Sequence, residues 1–232
     1  MKITYWSDYA CPYCYIGAAR LKKAIAQLPE WADAEIEMKA FQLDPTAGEH
    51  AAGDTQTRFA KKYGISFEEA GRRIAGISQL GIAEGLDFRY AATRFTNTMD
   101  AHRLTKLAQS KGDPALAEKL IEALFRAYFT DNRELADKAL LQSIGEACGL
   151  DAAEVKEVLE TDKYRKEVIQ DEQEAAANGI YAVPFFVVGA YAISGAQSVE
   201  GMKSTLLRAM RESQEAAAEQ GMTCGPDGCT IG

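Results

Sequence analysis

The sequence has no excess of positive charge. Lys+Arg 26 against Asp+Glu 34 leaves a net charge of −8, whereas a protein that binds by neutralising phosphates needs a basic field, so no nucleic-acid partner is expected. Nor does it have a long apolar run. The longest, Ala182 to Ile193, is broken by Pro184 and Gly189 and is too short to cross a bilayer. The opening residues Met1 to Asp8 hold no uninterrupted apolar stretch of the kind a secretory leader requires. The expectation is therefore a cytoplasmic protein with no membrane partner. Histidine is scarce, with only His50 and His102, so a metal centre would have few ligands. There is no internal repeat and no low-complexity segment. What remains is a chain of 232 residues, 47% hydrophobic and 26% charged, which is ordinary globular composition with enough length for one or two domains and a real core.

Periodicity outlines the elements. Lys2 to Ser7 alternates as a strand, and from Pro12 the pattern turns helical, with Ile16, Leu21, Ile25 and Leu28 on one stripe before Pro29. Ala34 to Leu43 alternates again, so the opening reads strand, helix, strand, with a right-handed parallel crossover. From about Asp54 to about Gly179 nearly everything is helical in period, with glycine and Asp/Asn punctuation. Asp113-Pro114 supplies a cap and a first-turn proline, and Leu116, Leu120, Leu124 and Tyr128 form a core stripe at spacings of four. The chain then returns to strand. Pro184 to Val188 and Tyr191 to Ser194 flank Gly189-Ala190 as a hairpin, and a helix follows from about Ser198 to Glu219. This order fits an α/β protein with a thioredoxin fold, β-α-β-α-β-β-α, interrupted by a large all-helical insertion. Residues 1–44 and 180–220 would form a discontinuous thioredoxin domain, 45–179 the insertion, and 221–232 a short tail.

Five cysteines are present: Cys11, Cys14, Cys148, Cys224 and Cys229. Close pairs in a chain of this size point to redox catalysis or metal rather than to a structural framework. Cys11-Pro12-Tyr13-Cys14 stands where the first strand hands over to the first helix. Free N–H groups and the dipole at a helix start favour a thiolate. The reading is that Cys11 projects outward as nucleophile while Cys14, one turn deeper, resolves the mixed disulfide. Pro12 suits a first helical turn. The competing reading is a zinc half-site, which would need two further ligands from His50, His102 or the remote Cys224/Cys229 pair, so no metal is expected. Pro184 precedes the second block of strands. Trans, it marks a strand edge; cis, it forms a turn beside the cysteine helix, where the Val183 backbone can pair with an extended substrate.

Together, Ser7 to Gly17, Asn97 to Leu104, Leu124 to Phe129, Val183-Pro184-Phe185-Phe186 and Ser194-Gly195-Ala196-Gln197 resemble the DsbA family of the thioredoxin superfamily, and within it the FrnE-like oxidoreductases. The resemblance implies a DsbA-like thiol–disulfide oxidoreductase, with disulfide isomerase activity as a further expectation. It implies that Cys11 and Cys14 are catalytic, that Pro184 is cis, and that Pro12, Tyr13, Val183 and Pro184 meet cysteine-containing protein or peptide substrates. No cofactor is required. Tyr13 stands where relatives often carry Trp, and Cys-Pro-Tyr-Cys is the glutaredoxin tetrapeptide, which brings in glutathione as an electron partner. Ala182 replaces a common Gly. A sister group, the 2-hydroxychromene-2-carboxylate isomerases and kappa-class glutathione transferases, carries serine at the position of Cys11. A glutathione-dependent isomerase or transferase is thus the alternative enzyme, and a non-catalytic holdase for unfolded chains the alternative outside catalysis.

Other residues admit two readings. Cys224-Gly225-Pro226-Asp227-Gly228-Cys229 is a good β-turn that makes the pair either an accessory redox centre, as in some FrnE-like proteins, or a local staple. His102, with Asn97 shortly before it, either lines a cleft over Cys11 or packs within the helical block. Cys148 reads as a small buried hydrophobe. Trp6 and Tyr9 are either core or an apolar surface for substrate.

Overall fold

A computed structural model describes the backbone of residues 1–220, 222–225 and 228–231, and the side chains of residues 1–215. Strand β1 (Lys2–Ser7) leads into α1 (Pro12–Ile25) and then β2 (Glu35–Ala40). β1 and β2 are parallel, with Ile3 opposite Ile36 and Tyr5 opposite Met38. Near the other end of the chain, β3 (Phe185–Val188) and β4 (Tyr191–Ser194) form the hairpin expected around Gly189-Ala190, where Gly189 takes a φ of 56°. β3 pairs antiparallel with β1, placing Ile3 opposite Val188. The sheet order is β2-β1-β3-β4, so the two ends of the chain meet at β1 and β3. Helix α9 (Val199–Gln220) packs against α1 and β4.

Between β2 and β3 lie α2 (Thr55–Tyr63), α3 (Phe67–Ala83), α4 (Met99–Gln109), α5 (Pro114–Phe129), α6 (Lys138–Cys148), α7 (Ala152–Glu160) and α8 (Arg165–Ala177). Five begin on a side-chain cap. Asp54 accepts from the Thr57 amide, Ser66 from Glu69, Asp113 from Ala115 and Leu116, Asp137 from Ala139 and Leu140, and Asp151 from Ala153 and Glu154. Each cap satisfies donors that a helix start leaves open. The helical expectation fails over residues 84–98, which hold one 3-10 turn at Tyr90–Ala92. Gly85, at φ 81°, ends the helical path, and cross-chain bonds hold the segment instead. The Thr55 hydroxyl donates to the Thr93 carbonyl at 2.7 Å, and the Arg89 amide donates to the Phe129 carbonyl at 2.8 Å. α1 also stops at Ile25, short of Pro29, because Leu28 is already extended.

The core is continuous between sheet and helical block. Tyr15 of α1 stacks on Phe125 of α5, with ring centroids 5.0 Å apart and planes within 4°, and Phe88 stacks on Phe129 at 4.7 Å. Of the α5 stripe, Leu120, Leu124 and Tyr128 are wholly buried. Trp6 and Tyr9 are core residues, and Cys148 is buried as read. On the far face of the sheet, Trp6 packs with Ala175 and Ile180. There α8 lies along β2, its Asp171 carboxylate accepting from the Ala40 amide at 2.7 Å and pairing with Lys106 at 2.5 Å. Arg103 in α4 is buried. It donates to the Val158, Thr161 and Lys163 carbonyls at and just beyond the end of α7 and pairs with Asp100. The fold is the expected thioredoxin sheet carrying a helical insertion.

Candidate active site

Cys11 occupies the N-cap of α1, with extended backbone (φ −91°, ψ 115°), and Pro12 fills the first helical position. The loop entering the helix is tied down from below. The Cys11 amide donates to the Asp8 carbonyl at 3.0 Å. The Asp8 carboxylate, itself buried, accepts from the Ala10 amide at 3.2 Å and the Leu43 amide at 2.7 Å. It thereby fixes the β1–α1 loop against the chain leaving β2. Nothing in the local sequence marks Asp8 for this role, because one of its partners, Leu43, is 35 residues away.

Both motif cysteines are thiols. Cys14 is wholly buried, as expected of the deeper position, but Cys11 is only 4% exposed. That corrects the picture of a thiol projecting freely. The reason is the facing loop: the Cys11 thiol donates to the Val183 carbonyl at 3.6 Å. The Val183–Pro184 peptide bond is cis, as the resemblance implies. Behind it, Gly17 lets α1 approach closely, since a Cβ there would stand 3.0 Å from Pro184 Cγ and 3.2 Å from Phe186 Cζ. Burial, followed by the adjacent Cys11 sulfur, pushes the Cys14 thiol well above the ordinary thiol range, while the Asp8 backbone and the Ser7 hydroxyl pull the other way. Ser7 Oγ is buried and has no hydrogen-bond partner among the described residues.

Cys11 opens onto a cavity of about 1050 Å³ between the cysteine helix, α2 and α3, with Pro12, Tyr13, Tyr63, Tyr181 and Val183 on its walls. Tyr13 and Tyr181 are exposed there, Val183 is half-buried and Pro184 is buried beneath. Pro12, Tyr13, Val183 and Pro184 thus gather around Cys11 as the sequence suggested. His102 and Asn97 do not line this cavity. His102 is buried behind the loop, its Nε2 3.5 Å from Asp8 Oδ1 and its ring 4.9 Å from Tyr9. Asn97 accepts from the Met99 amide at 2.8 Å and donates to the Pro45 carbonyl at 3.1 Å, work that starts α4. Sequence periodicity put His102 on a helix but carried no information about which side of the loop that helix meets.

Cys224 and Cys229 face each other in register across a backbone hairpin, β5 (Met222–Gly225) with β6 (Gly228–Ile231). Their side chains lie outside the described residues, so the accessory-redox expectation falls there too. Among the described residues no group of three or more His, Cys, Asp or Glu side chains converges as a metal site. Among the same residues no helix is long and apolar enough to cross a membrane.

A dithiol opening the first helix of a thioredoxin sheet, faced by an X-Pro loop from the far end of the chain, defines the class of thioredoxin-fold proteins built for thiol–disulfide exchange. The comparisons narrow the class. The family model for the DsbA-like thioredoxin domain matches residues 2–207, and the chain belongs to that family of thiol–disulfide oxidoreductases. It is similar to a solved Streptomyces coelicolor protein described as a "probable DsbA oxidoreductase", at 36% identity and a TM-score of 0.85, covering 100% of this chain and 99% of that one. It is 28% identical over 209 residues to the Bacillus subtilis (strain 168) protein YwbO, covering 84% of this chain and 90% of that protein. The fold is also shared with a 2-hydroxychromene-2-carboxylate isomerase, at a TM-score of 0.68 and 13% identity, covering 93% of this chain and 99% of that one.

Proposed function

We propose that this protein exchanges disulfides with cysteine-containing protein or peptide segments, with Cys11 as nucleophile and Cys14 as resolving thiol. The observation that carries the reading is the asymmetry of the pair. Cys11 sits at the helix N-cap, on the wall of a cavity large enough for a peptide, whereas Cys14 is sealed beneath it and held protonated.

In the reducing direction the Cys11 thiolate attacks one sulfur of a substrate disulfide. A Cys11–substrate bond forms, the substrate S–S bond breaks, and one substrate thiolate leaves with the electron pair. Cys14 then loses its proton and attacks Cys11 Sγ. The Cys11–Cys14 disulfide forms and the second substrate thiol departs, so two electrons pass to the substrate. The oxidising direction is the reverse, and release of a mixed disulfide to a different substrate thiol is isomerisation. The Val183 carbonyl, 3.6 Å from Cys11 Sγ, belongs to the backbone segment against which an extended substrate lies. Tyr13, exposed at the rim, contacts the substrate chain.

The test is insulin reduction and scrambled-ribonuclease refolding, with and without glutathione as reductant. Cys11→Ser abolishes both activities, and Cys14→Ser leaves a trapped mixed disulfide. Turnover by Cys11→Ser at the parental rate overturns the assignment. Tight glutathione binding with no disulfide turnover in the parent, and an isomerase or transferase activity that survives Cys14→Ser, replaces it with a glutathione-dependent isomerase or transferase. Suppression of aggregation with both cysteines replaced, and no turnover in the parent, replaces it with a holdase.

A further inference from the structure

The cavity in front of Cys11 carries a charge opposite to that of the molecule around it. The chain as a whole has a net charge of −8. The cavity nevertheless takes Arg58, Lys61 and Lys62 from α2 and Arg73 from α3, against the single carboxylate of Asp44. Arg73 is already answered, its Nε donating to Glu69 at 2.8 Å. Arg58, Lys61 and Lys62 make no ion pair among the described residues, in a molecule whose other cations are widely paired.

Arg58 is also held in place. Its guanidinium carbon lies 3.8 Å from the centroid of the Phe95 ring, a cation–π contact that limits the rotamer freedom a pairing would otherwise cost. Its Nε is buried yet has no hydrogen-bond partner among the described residues, a state folded proteins rarely leave without a reason. The field of Arg58 reaches the Tyr90 hydroxyl, which also feels the Cys11 sulfur, so one side chain of the cavity wall senses both groups. Around this basic side stand exposed apolar surfaces, Tyr13, Tyr63, Leu80 and Tyr181. They suit the side chains of an extended polypeptide better than a compact polar solute.

We propose that Arg58, with Lys61 and Lys62, forms a specificity subsite that selects polypeptide disulfides whose cysteine is flanked by acidic residues. A substrate carboxylate pairs with the Arg58 fork while the substrate sulfur meets Cys11 and its backbone runs beside Val183. This rests on the exchange reaction proposed above and names its substrate class.

The experiment uses the full chain and three peptide disulfides of one sequence carrying Glu, Gln or Lys beside the cysteine, with oxidised glutathione as a fourth substrate. The readout is kcat/KM at low and high salt. The parent favours the Glu peptide over the Gln peptide by about fivefold at low salt, disfavours the Lys peptide, and loses the gap as salt rises. Arg58→Gln narrows the Glu-to-Gln ratio to about twofold, while Arg58→Lys, which keeps charge without the fork, falls between. Because the readout is a ratio within one variant, a partly unfolded preparation does not mimic it. Equal rates on the Glu and Gln peptides, or a ratio untouched by Arg58→Gln, overturns the subsite. A preference for glutathione without one for the Glu peptide overturns the polypeptide assignment. If Cys11→Ser reacts with all four substrates at the parental rate, the exchange reading itself falls. If Cys11→Ser is inert while the parent treats the three peptides alike, the subsite alone falls.

Discussion

Gly17 couples the packing of α1 to the geometry at Cys11. It lies in the second turn of the helix, facing the Val183-Pro184 loop. A Cβ built there meets Pro184 Cγ at 3.0 Å, Phe186 Cζ at 3.2 Å and Ala196 Cβ at 3.6 Å. Gly17→Ala gains about 1 kcal/mol of helix propensity and asks the proline ring to yield by a few tenths of an ångström, so its net effect on stability is close to zero. Gly17→Val drives γ carbons into the same two rings. Overpacking of this kind costs about 1–3 kcal/mol, and the branched side chain gives back part of the propensity gain. A net loss of about 2 kcal/mol lowers Tm by roughly 4–8 °C in a chain of this length. The larger effect is on the reaction. Displacing the Pro184 loop carries with it the Val183 carbonyl that sits 3.6 Å from Cys11 Sγ, and a misplacement of about 1 Å at a reacting centre costs up to about 100-fold in rate. Thermal melts by circular dichroism, paired with single-turnover kinetics on a peptide disulfide well below either Tm, separate the two effects. Gly17→Val reacts at least about tenfold slower while still folded, and Gly17→Ala stays near the parent. Parental kinetics in folded Gly17→Val would refute the coupling.

Three further expectations follow from the buried groups. In the dithiol form Cys14 is raised above its unfolded value, so its neutral thiol contributes stability that is complete below the unfolded pKa of about 8.5 and is lost as pH rises through the folded one. The urea midpoint of the reduced protein therefore falls between about pH 8 and pH 9.5, below tyrosine ionisation; a Cys14→Ser profile just as steep would show that another group is responsible. Ser7→Ala removes a hydroxyl that favours the Cys14 anion, slowing resolution of the mixed disulfide by about tenfold without changing its formation; the two steps separate in rapid-quench alkylation, and slowing of the first step alone would contradict the assignment. Arg103→Met leaves three carbonyls at or near the end of α7 without their buried cation, a loss of about 3–5 kcal/mol and roughly 10 °C in Tm; Arg103→Lys recovers part of it, and a shift below about 2 °C for the methionine variant would mean those carbonyls have other partners.

Much of the fold was legible because local patterns and tertiary structure agree. Alternation in Lys2 to Ser7, the stripe from Pro12 and the turn at Gly189-Ala190 each set an element that the sheet then uses. Cys11-x-x-Cys14 was legible for the same reason, since its chemistry depends on a strand-to-helix boundary written into the local sequence. Residues 84–98 were not, because hydroxyl and amide bonds to distant segments hold them and leave no period to read. His102 and Asp8 meet across 94 residues of chain, and Lys106 and Asp171 across 65, so their pairing is a property of the topology. The cover over Cys11 and the basic wall of its cavity are assembled from α2, α3 and the loop before β3. Each contributes an unremarkable surface pattern when read alone.

The pairing of Ile3 with Val188 also has a consequence during synthesis. When Cys11 and Cys14 leave the ribosome, the edge of β1 that β3 will take is bare, and the carbonyl that will face Cys11 has yet to be translated. Helices from the middle of the chain can pack in the meantime, but the loop that faces Cys11 follows it by 172 residues. Closing so long a loop makes this pairing a late event, and the open strand edge invites adventitious partners while it waits. Chain connectivity thus sets an order of assembly, in which the cover over Cys11 is added after the dithiol segment and the helical block.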